Sequence, residues 1–182
     1  MKKYLFLILI LCSACSVSNS ETESEELNLG DFKALVGESP NSGLYEELEG
    51  LAQFLLKSSD STFNFILHSS LSSDTAATEV TLSMKSVNLP AEGAYSFNDI
   101  DAREEVFSDG FSGFYLSPTV GLGKQYYTES GTLTITRSES VNGIEGTFEA
   151  IIFYYAQVDS NEFVRQYSKM SGEFNAASMG FK

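Results

Sequence analysis

The sequence predicts an all-β domain: an antiparallel meander of about seven to eight short strands forming a sandwich or barrel, with one short helix near residues 42–57. Three observations carry this. After Ser61, apolar and polar residues alternate over short stretches. Clusters of Gly, Pro, Asn and Ser separate those stretches. Near the C-terminus two alternating runs flank Asn142-Gly143, a pair suited to a hairpin turn.

The helix expectation rests on Leu44, Leu48, Leu51 and Leu55, whose offsets of 0, 4, 7 and 11 mark one helical face. Asn41 and Ser42 suit the N-cap, and Glu46 and Glu47 favour a helix start. Gly50 works against it. Such a helix packs on the sheet or plugs one barrel end. Phe63, Phe65 and Leu67 define the first strand; Val80, Leu82 and Met84 define the next, beyond a Ser-rich loop. Leu89-Pro90-Ala91-Glu92-Gly93 forms a turn before Ala94-Tyr95-Ser96-Phe97. Phe111–Leu116 is a short strand stopped by Pro118. Leu133 and Ile135 alternate with Thr132, Thr134 and Thr136. Past the loop, Ile144, Gly146, Phe148, Ala150 and Ile152 share one face, with Glu145, Thr147 and Glu149 on the other. The run Ile151-Ile152-Phe153-Tyr154-Tyr155 is apolar on both faces and calls for cover on both sides. A last strand, Phe163–Phe174, pairs back against it.

The chain has 182 residues, which suits one domain, and 42% hydrophobic residues, too many for disorder throughout. Its formal net charge of -14 argues against nucleic-acid binding, which needs Lys and Arg against phosphates. One His and two Cys leave little for a zinc site or a His-based nucleophile relay.

Lys2 and Lys3 precede an unbroken apolar run, Tyr4–Leu11, too short to span a bilayer but suited to a signal peptide. The following Cys12-Ser13-Ala14-Cys15 resembles the lipobox of bacterial lipoproteins. The resemblance implies diacylglycerol on Cys15 and cleavage before it. It divides the chain into a signal peptide (1–14), an acidic flexible tether (15–28) and one β-rich domain (29–182). Cleavage discards Cys12, so no disulfide supports the fold. Two or three acyl chains on Cys15 suffice as an anchor, without a polybasic patch. Ser16 resembles the residue that directs Gram-negative lipoproteins to the outer membrane, with the domain facing the periplasm or the surface. The tether is Ser- and Glu-rich, and its acids hold the domain off anionic headgroups.

Gly131-Thr132-Leu133-Thr134-Ile135-Thr136, then Gly146-Thr147-Phe148 and Gly172-Glu173-Phe174, make a recurring pattern of strand positions. Together with Gly93-Ala94-Tyr95 it is similar to a family of small cell-envelope lipoproteins of unknown function. The resemblance covers residues 62–175. It implies a β-fold and supplies no catalytic residues.

Candidate chemistry is sparse. His68, the only histidine, lies beside Ser69 and Ser70 at a strand end, where sequence neighbours do not make a triad. Gly110-Phe111-Ser112-Gly113-Phe114 is out of step with a nucleophile elbow, and no helix follows it. Gly121-Leu122-Gly123-Lys124 is too short for a phosphate loop. Asp99, Asp101 and Glu104 lie in an acidic stretch that also holds Asn98, Glu105 and Asp109. Close-set oxygen ligands suit a weak Ca²⁺ site, although the spacing is not that of an EF-hand. The plain alternative is a solvated loop. Tyr126, Tyr127, Tyr154 and Tyr155, with Tyr167, are candidates for an aromatic binding face.

The expected function is an outer-membrane-anchored lipoprotein with a non-catalytic binding or structural role, requiring no cofactor. Its partners are membrane lipid through Cys15 and a glycan or envelope protein, with no nucleic acid. The alternative is a cell-envelope glycan hydrolase using the carboxylates between Asp99 and Asp109.

Overall fold

The computed structural model describes residues 26–37, 39, 41, 43, 45–69, 78–99, 109–117, 124–139 and 143–179. These form nine strands: β1 (Asp31–Gly37), β2 (Tyr45–Lys57), β3 (Thr62–Ser69), β4 (Thr78–Lys85), β5 (Gly93–Phe97), β6 (Gly110–Ser117), β7 (Lys124–Glu139), β8 (Gly143–Asp159) and β9 (Glu162–Ser178). All belong to one sheet in the order β1-β2-β3-β4-β6-β5-β7-β8-β9, and β9 pairs back to β1, so the order closes on itself. Most ladders are antiparallel; β5–β6 and the short β2–β9 contact are parallel.

The helix expected over 42–57 is not present: Tyr45–Lys57 is strand β2. The leucine spacing that suits a helix splits across the two faces of a strand. Leu48 is buried with Ala52 and Phe54 on the inner face, whereas Leu51 points outward at 57% exposure. Pairing with β1 along Tyr45–Leu51 and with β3 along Leu51–Lys57 outweighs the local preference. Gly50 sits near this exchange of partners. A side chain there would meet the His68 carbonyl, so the residue that weakened the helix is one the strand requires. Strand β1 has no clear alternating signature; with β2 it brings the strands to nine, above the seven to eight that the sequence predicts.

The alternating stretches behave as the pleat demands. Phe63, Phe65 and Leu67 are buried, as are Val80, Leu82 and Met84. Leu133, Ile135, Ile144, Phe148, Ala150 and Ile152 enter the same core. Phenylalanine rings fill it in a connected chain: Phe148–Phe174 at 6.5 Å, Phe174–Phe65 at 4.6 Å, Phe65–Phe63 at 4.8 Å and Phe65–Phe111 at 5.8 Å between centroids.

Two glycines make room for these rings. Phe148 pairs with Gly172 across β8 and β9, and Gly146 pairs with Phe174. A Cβ on Gly172 would lie 2.7 Å from Phe148 Cζ; one on Gly146 would lie 2.8 Å from Phe174 Cζ. Each ring therefore occupies the space its partner strand leaves empty.

The strands run between two ends. One end carries Asp31, Lys57, Thr62, Lys85 and Gly143; the other carries Gly37, Tyr45, Ser69 and Thr78. The chain enters at the first end, where Asn175 Nδ2 donates to Leu27 O at 3.1 Å and Gly30 N donates to Asn175 O at 2.6 Å. Strands β8 and β9 run past the second end as a two-stranded ribbon. Beyond the Val36–Met170 pair, β9 continues to Glu162 beside β8 alone among the described strands.

Phe148→Ala is expected to cost about 3–5 kcal/mol, from lost transfer energy and an unfilled cavity. Gly172→Ala is expected to cost about 1–3 kcal/mol by overpacking against the same ring. Thr134→Ala, on the outer face, is expected to cost under about 1 kcal/mol. Urea unfolding of the three variants checks the order; equal midpoints for Phe148→Ala and Thr134→Ala would refute this assignment of faces.

Candidate functional site

The pleat divides the four candidate tyrosines between two sides of the sheet. Tyr126 and Tyr154 face inward, and their rings meet edge to face at 5.0 Å. Tyr126 also packs on Tyr115 at 5.5 Å, and the Tyr115 hydroxyl donates to Glu46 Oε2 at 3.4 Å. This inner row lines the end of the core away from the N-terminal entry.

Tyr127 and Tyr155 face outward, where they gather round Phe153. That residue lies one step from the inward Ile152, so it belongs to the outer face. It is nevertheless 0% exposed. Tyr127 covers it at 5.9 Å, Tyr155 at 5.5 Å and Tyr167 at 6.2 Å between centroids. The fourth cover is Arg165, whose guanidinium carbon stands 4.0 Å above the Phe153 ring. The cover that the two-sided apolar run demanded is therefore supplied by one arginine and three tyrosines.

Strand register brings these groups together. Phe153 pairs with Tyr127 on one side and with Tyr167 on the other, and Tyr155 pairs with Arg165. Paired residues share a face and stand about 5 Å apart. Arg165 is then held from several directions. Its Nη1 lies 2.7 Å from Asp99 Oδ2 and 3.6 Å from Glu129 Oε1, and its Nη2 donates to the Tyr155 hydroxyl at 3.5 Å. Asp99 reaches this position because the preceding residue is pinned. Asn98 N donates to Phe111 O at 2.8 Å, and the Thr128 hydroxyl donates to Asn98 O at 3.2 Å.

The charges respond to this packing. Asp99, followed by the Tyr155 hydroxyl, raises the Arg165 pKa, so the guanidinium stays charged. The Tyr167 hydroxyl donates to Glu129, which disfavours phenolate and raises its pKa. Lys169 is raised by its ion pair with Glu149.

The outer stripe continues along the ribbon. Phe163 pairs with Gln157 on the face of Tyr155 and Arg165 and is 58% exposed. Tyr155 at 39% and Tyr167 at 38% exposure complete the accessible rings. Sequence reasoning did not find Phe153, Arg165 or Glu129 as part of this surface. A signal exists: Phe153-x-Tyr155 on one strand faces Arg165-x-Tyr167 on the next, and residues two apart in a strand share a face.

The other candidates are placed as follows. Of the proposed calcium ligands, Asp99 is engaged by Arg165, while Asp101 and Glu104 lie outside the described residues, as does Cys15. Among the described residues, no three His, Cys, Asp or Glu side chains gather as a metal site. Asp109 is exposed beside the start of β6. His68 sits at the end of β3, as expected, paired with Leu51 and Glu79. Ser112 is buried, with its hydroxyl donating to Ser83 O at 3.4 Å.

Arg165→Ala uncovers Phe153 and strands Asp99, and is expected to cost about 1–3 kcal/mol. Asp99→Asn, at an exposed pair, is expected to cost under about 1 kcal/mol. Thermal melts of the two variants and their double mutant read the coupling; equal losses would contradict the stacking role given to Arg165. Tyr167 and Lys169 both have raised folded-state pKa values, so their contribution is full below their ordinary values of 10.0 and 10.5 and is lost as pH rises through the folded ones. Phenolate titration followed by ultraviolet absorbance should show the ionisation of Tyr167 moving earlier in Glu129→Gln. Comparison of the chain with family models, curated proteins and solved structures gives no match, so the reading of this surface rests on its geometry.

Proposed function

We propose that the protein is a lipid-anchored, non-catalytic binding module of the bacterial outer membrane, whose closed sheet serves as a small filled barrel presenting the β8–β9 ribbon to an envelope ligand. The anchor reading rests on Ser13-Ala14-Cys15 behind an apolar run, with Ser16 following. Among the described residues, no helix is long and apolar enough to cross a membrane, and the lipid on Cys15 carries the attachment. The binding reading rests above all on Phe163, a large ring left 58% exposed in line with Tyr155 and Tyr167. Soluble domains rarely leave aligned aromatic rings in water without a use for them.

The two readings fit one geometry. The tether joins at the Leu27–Asp31 end, and the ribbon projects from the opposite end. A 17-residue strand spans roughly 50 Å at about 3.3 Å per residue. The aromatic stripe is thus carried away from the bilayer that holds Cys15.

Cys15→Ser is expected to move the protein from the membrane to the soluble fraction, since no second signal remains. Cell fractionation is the check. Membrane association that survives the change would defeat the lipoprotein reading.

A further inference from the structure

We propose that the outer edge of β9, from Glu162 to Tyr167, takes up an extended, uncharged segment of a partner protein as an additional strand. This rests on the binding reading above and names the kind of partner.

Unpaired backbone selects the partner. Strand β9 pairs with β1 only between Asn175 and Met170, yet it pairs with β8 as far as Glu162. Among the described residues, no backbone bond reaches Glu162–Tyr167 from the side opposite β8. In an antiparallel ladder every second residue turns its N–H and C=O away from its partner. This edge therefore holds out a row of donors and acceptors, and another extended backbone is the group that matches such a row. A glycan has no backbone of alternating amide N–H and C=O at strand spacing.

The usual guards of an open edge are withdrawn or missing. Natural edges are blunted by lysines, by prolines or by a covering segment. No Pro occurs from Tyr154 to Lys169. Arg165 leans off the edge: its guanidinium carbon lies 4.0 Å above Phe153 on β8, with Asp99 and Glu129 at its nitrogens. Lys169 is drawn the same way, to Glu149 of β8. Glu162 stays exposed, beside the turn at Ser160 and Asn161. The other flank of the ribbon differs. There Asp99, held beside β7 through Asn98 and Thr128, crosses β8 to reach Arg165.

Side chains set the chemistry of the segment. Residues opposite each other across an antiparallel pair share a face. Phe163 and Tyr167 lie on the outer face, on either side of Arg165, and both are exposed. An incoming strand sets apolar side chains against these two rings, at positions four residues apart. It covers about six residues, or roughly 20 Å. A second copy of this chain fits poorly. Two β9 edges paired about a two-fold axis run antiparallel, which puts the two tether ends at opposite poles, where one bilayer does not hold both.

The test uses the full chain in neutral detergent micelles. The first probe is a fluorescent, end-capped peptide of alternating Thr and Val. Two counterparts carry N-methyl groups on the Thr amides or on the Val amides, and a neutral N-acetylglucosamine oligosaccharide is the fourth probe. The parent peptide should bind, and one methylated counterpart, but not the other, should lose binding. Amide hydrogens within Phe163–Tyr167 should exchange more slowly in the bound state. Phe163→Ala, at an exposed position, should leave the melting temperature unchanged and weaken the parent peptide about two- to fivefold. No binding of the parent peptide at millimolar concentration, equal binding of all three peptides, or unchanged exchange overturns the proposal. A dimer by sedimentation that Phe163→Ala dissolves overturns it in favour of self-pairing. If the oligosaccharide alone binds and Phe163→Ala abolishes it, strand addition is wrong but the ribbon remains the binding face. If no probe responds to Phe163→Ala, the binding reading falls as well.

Discussion

Phe148 lies across Gly172 and Phe174 across Gly146, on the two longest neighbouring strands. Each glycine leaves a gap on the inner face that the ring of its partner fills. With side chains at both glycines the backbones could not approach as they do, and without the rings the gaps would be cavities. Strand coiling and core filling are therefore one constraint. From Phe174 the contact passes to Phe65, and from Phe65 to Phe63 and Phe111, so strands β3 and β6 pack against the rings that these glycines admit.

An interior filled this way leaves the proposed binding surface on the outside. The inner face spends its rings on packing, and even the inward Tyr126 and Tyr154 are committed to each other and to Tyr115. On the outer face of β8, between β7 and β9, no opposite layer exists to bury an apolar residue. Phe153 is covered there by a cation and three hydroxylated rings. Such cover suits a surface: it seals one phenylalanine while keeping polar atoms in water. It also ties Asp99, from the turn after β5, to the ribbon through Arg165, which stiffens an overhang that a two-stranded ribbon alone would not hold.

Acidity and direction reinforce one another in the proposed role. The surplus of carboxylates keeps the domain off anionic headgroups, and the polarity of the strands puts tether and ribbon at opposite ends. A lipid on Cys15 then has a mechanical consequence, because it decides which end of the sheet meets the rest of the envelope.

Much of the fold was legible residue by residue. Alternation placed Phe63, Phe65 and Leu67, and likewise Leu133, Ile135, Phe148, Ala150 and Ile152, on the buried face, because a strand's period of two is a local property. The same logic failed at β2, where four leucines satisfied a helical spacing and only pairing with β1 and β3 decided otherwise. The recurring Gly-x-Phe steps were visible as a pattern, but their meaning as glycine and ring facing across strands was not. The candidate tyrosines were visible as a group, yet the pleat sends Tyr126 and Tyr154 to one side and Tyr127 and Tyr155 to the other. Sequence by itself determined the strand faces, the turn chemistry, the charge and the expectation of a lipid anchor, all of which depend on neighbours along the chain. Tertiary structure alone decided the register that sets Arg165 over Phe153 and brings Asp99 to meet it. Those residues lie up to 66 positions apart, and only the closure of the sheet makes them neighbours.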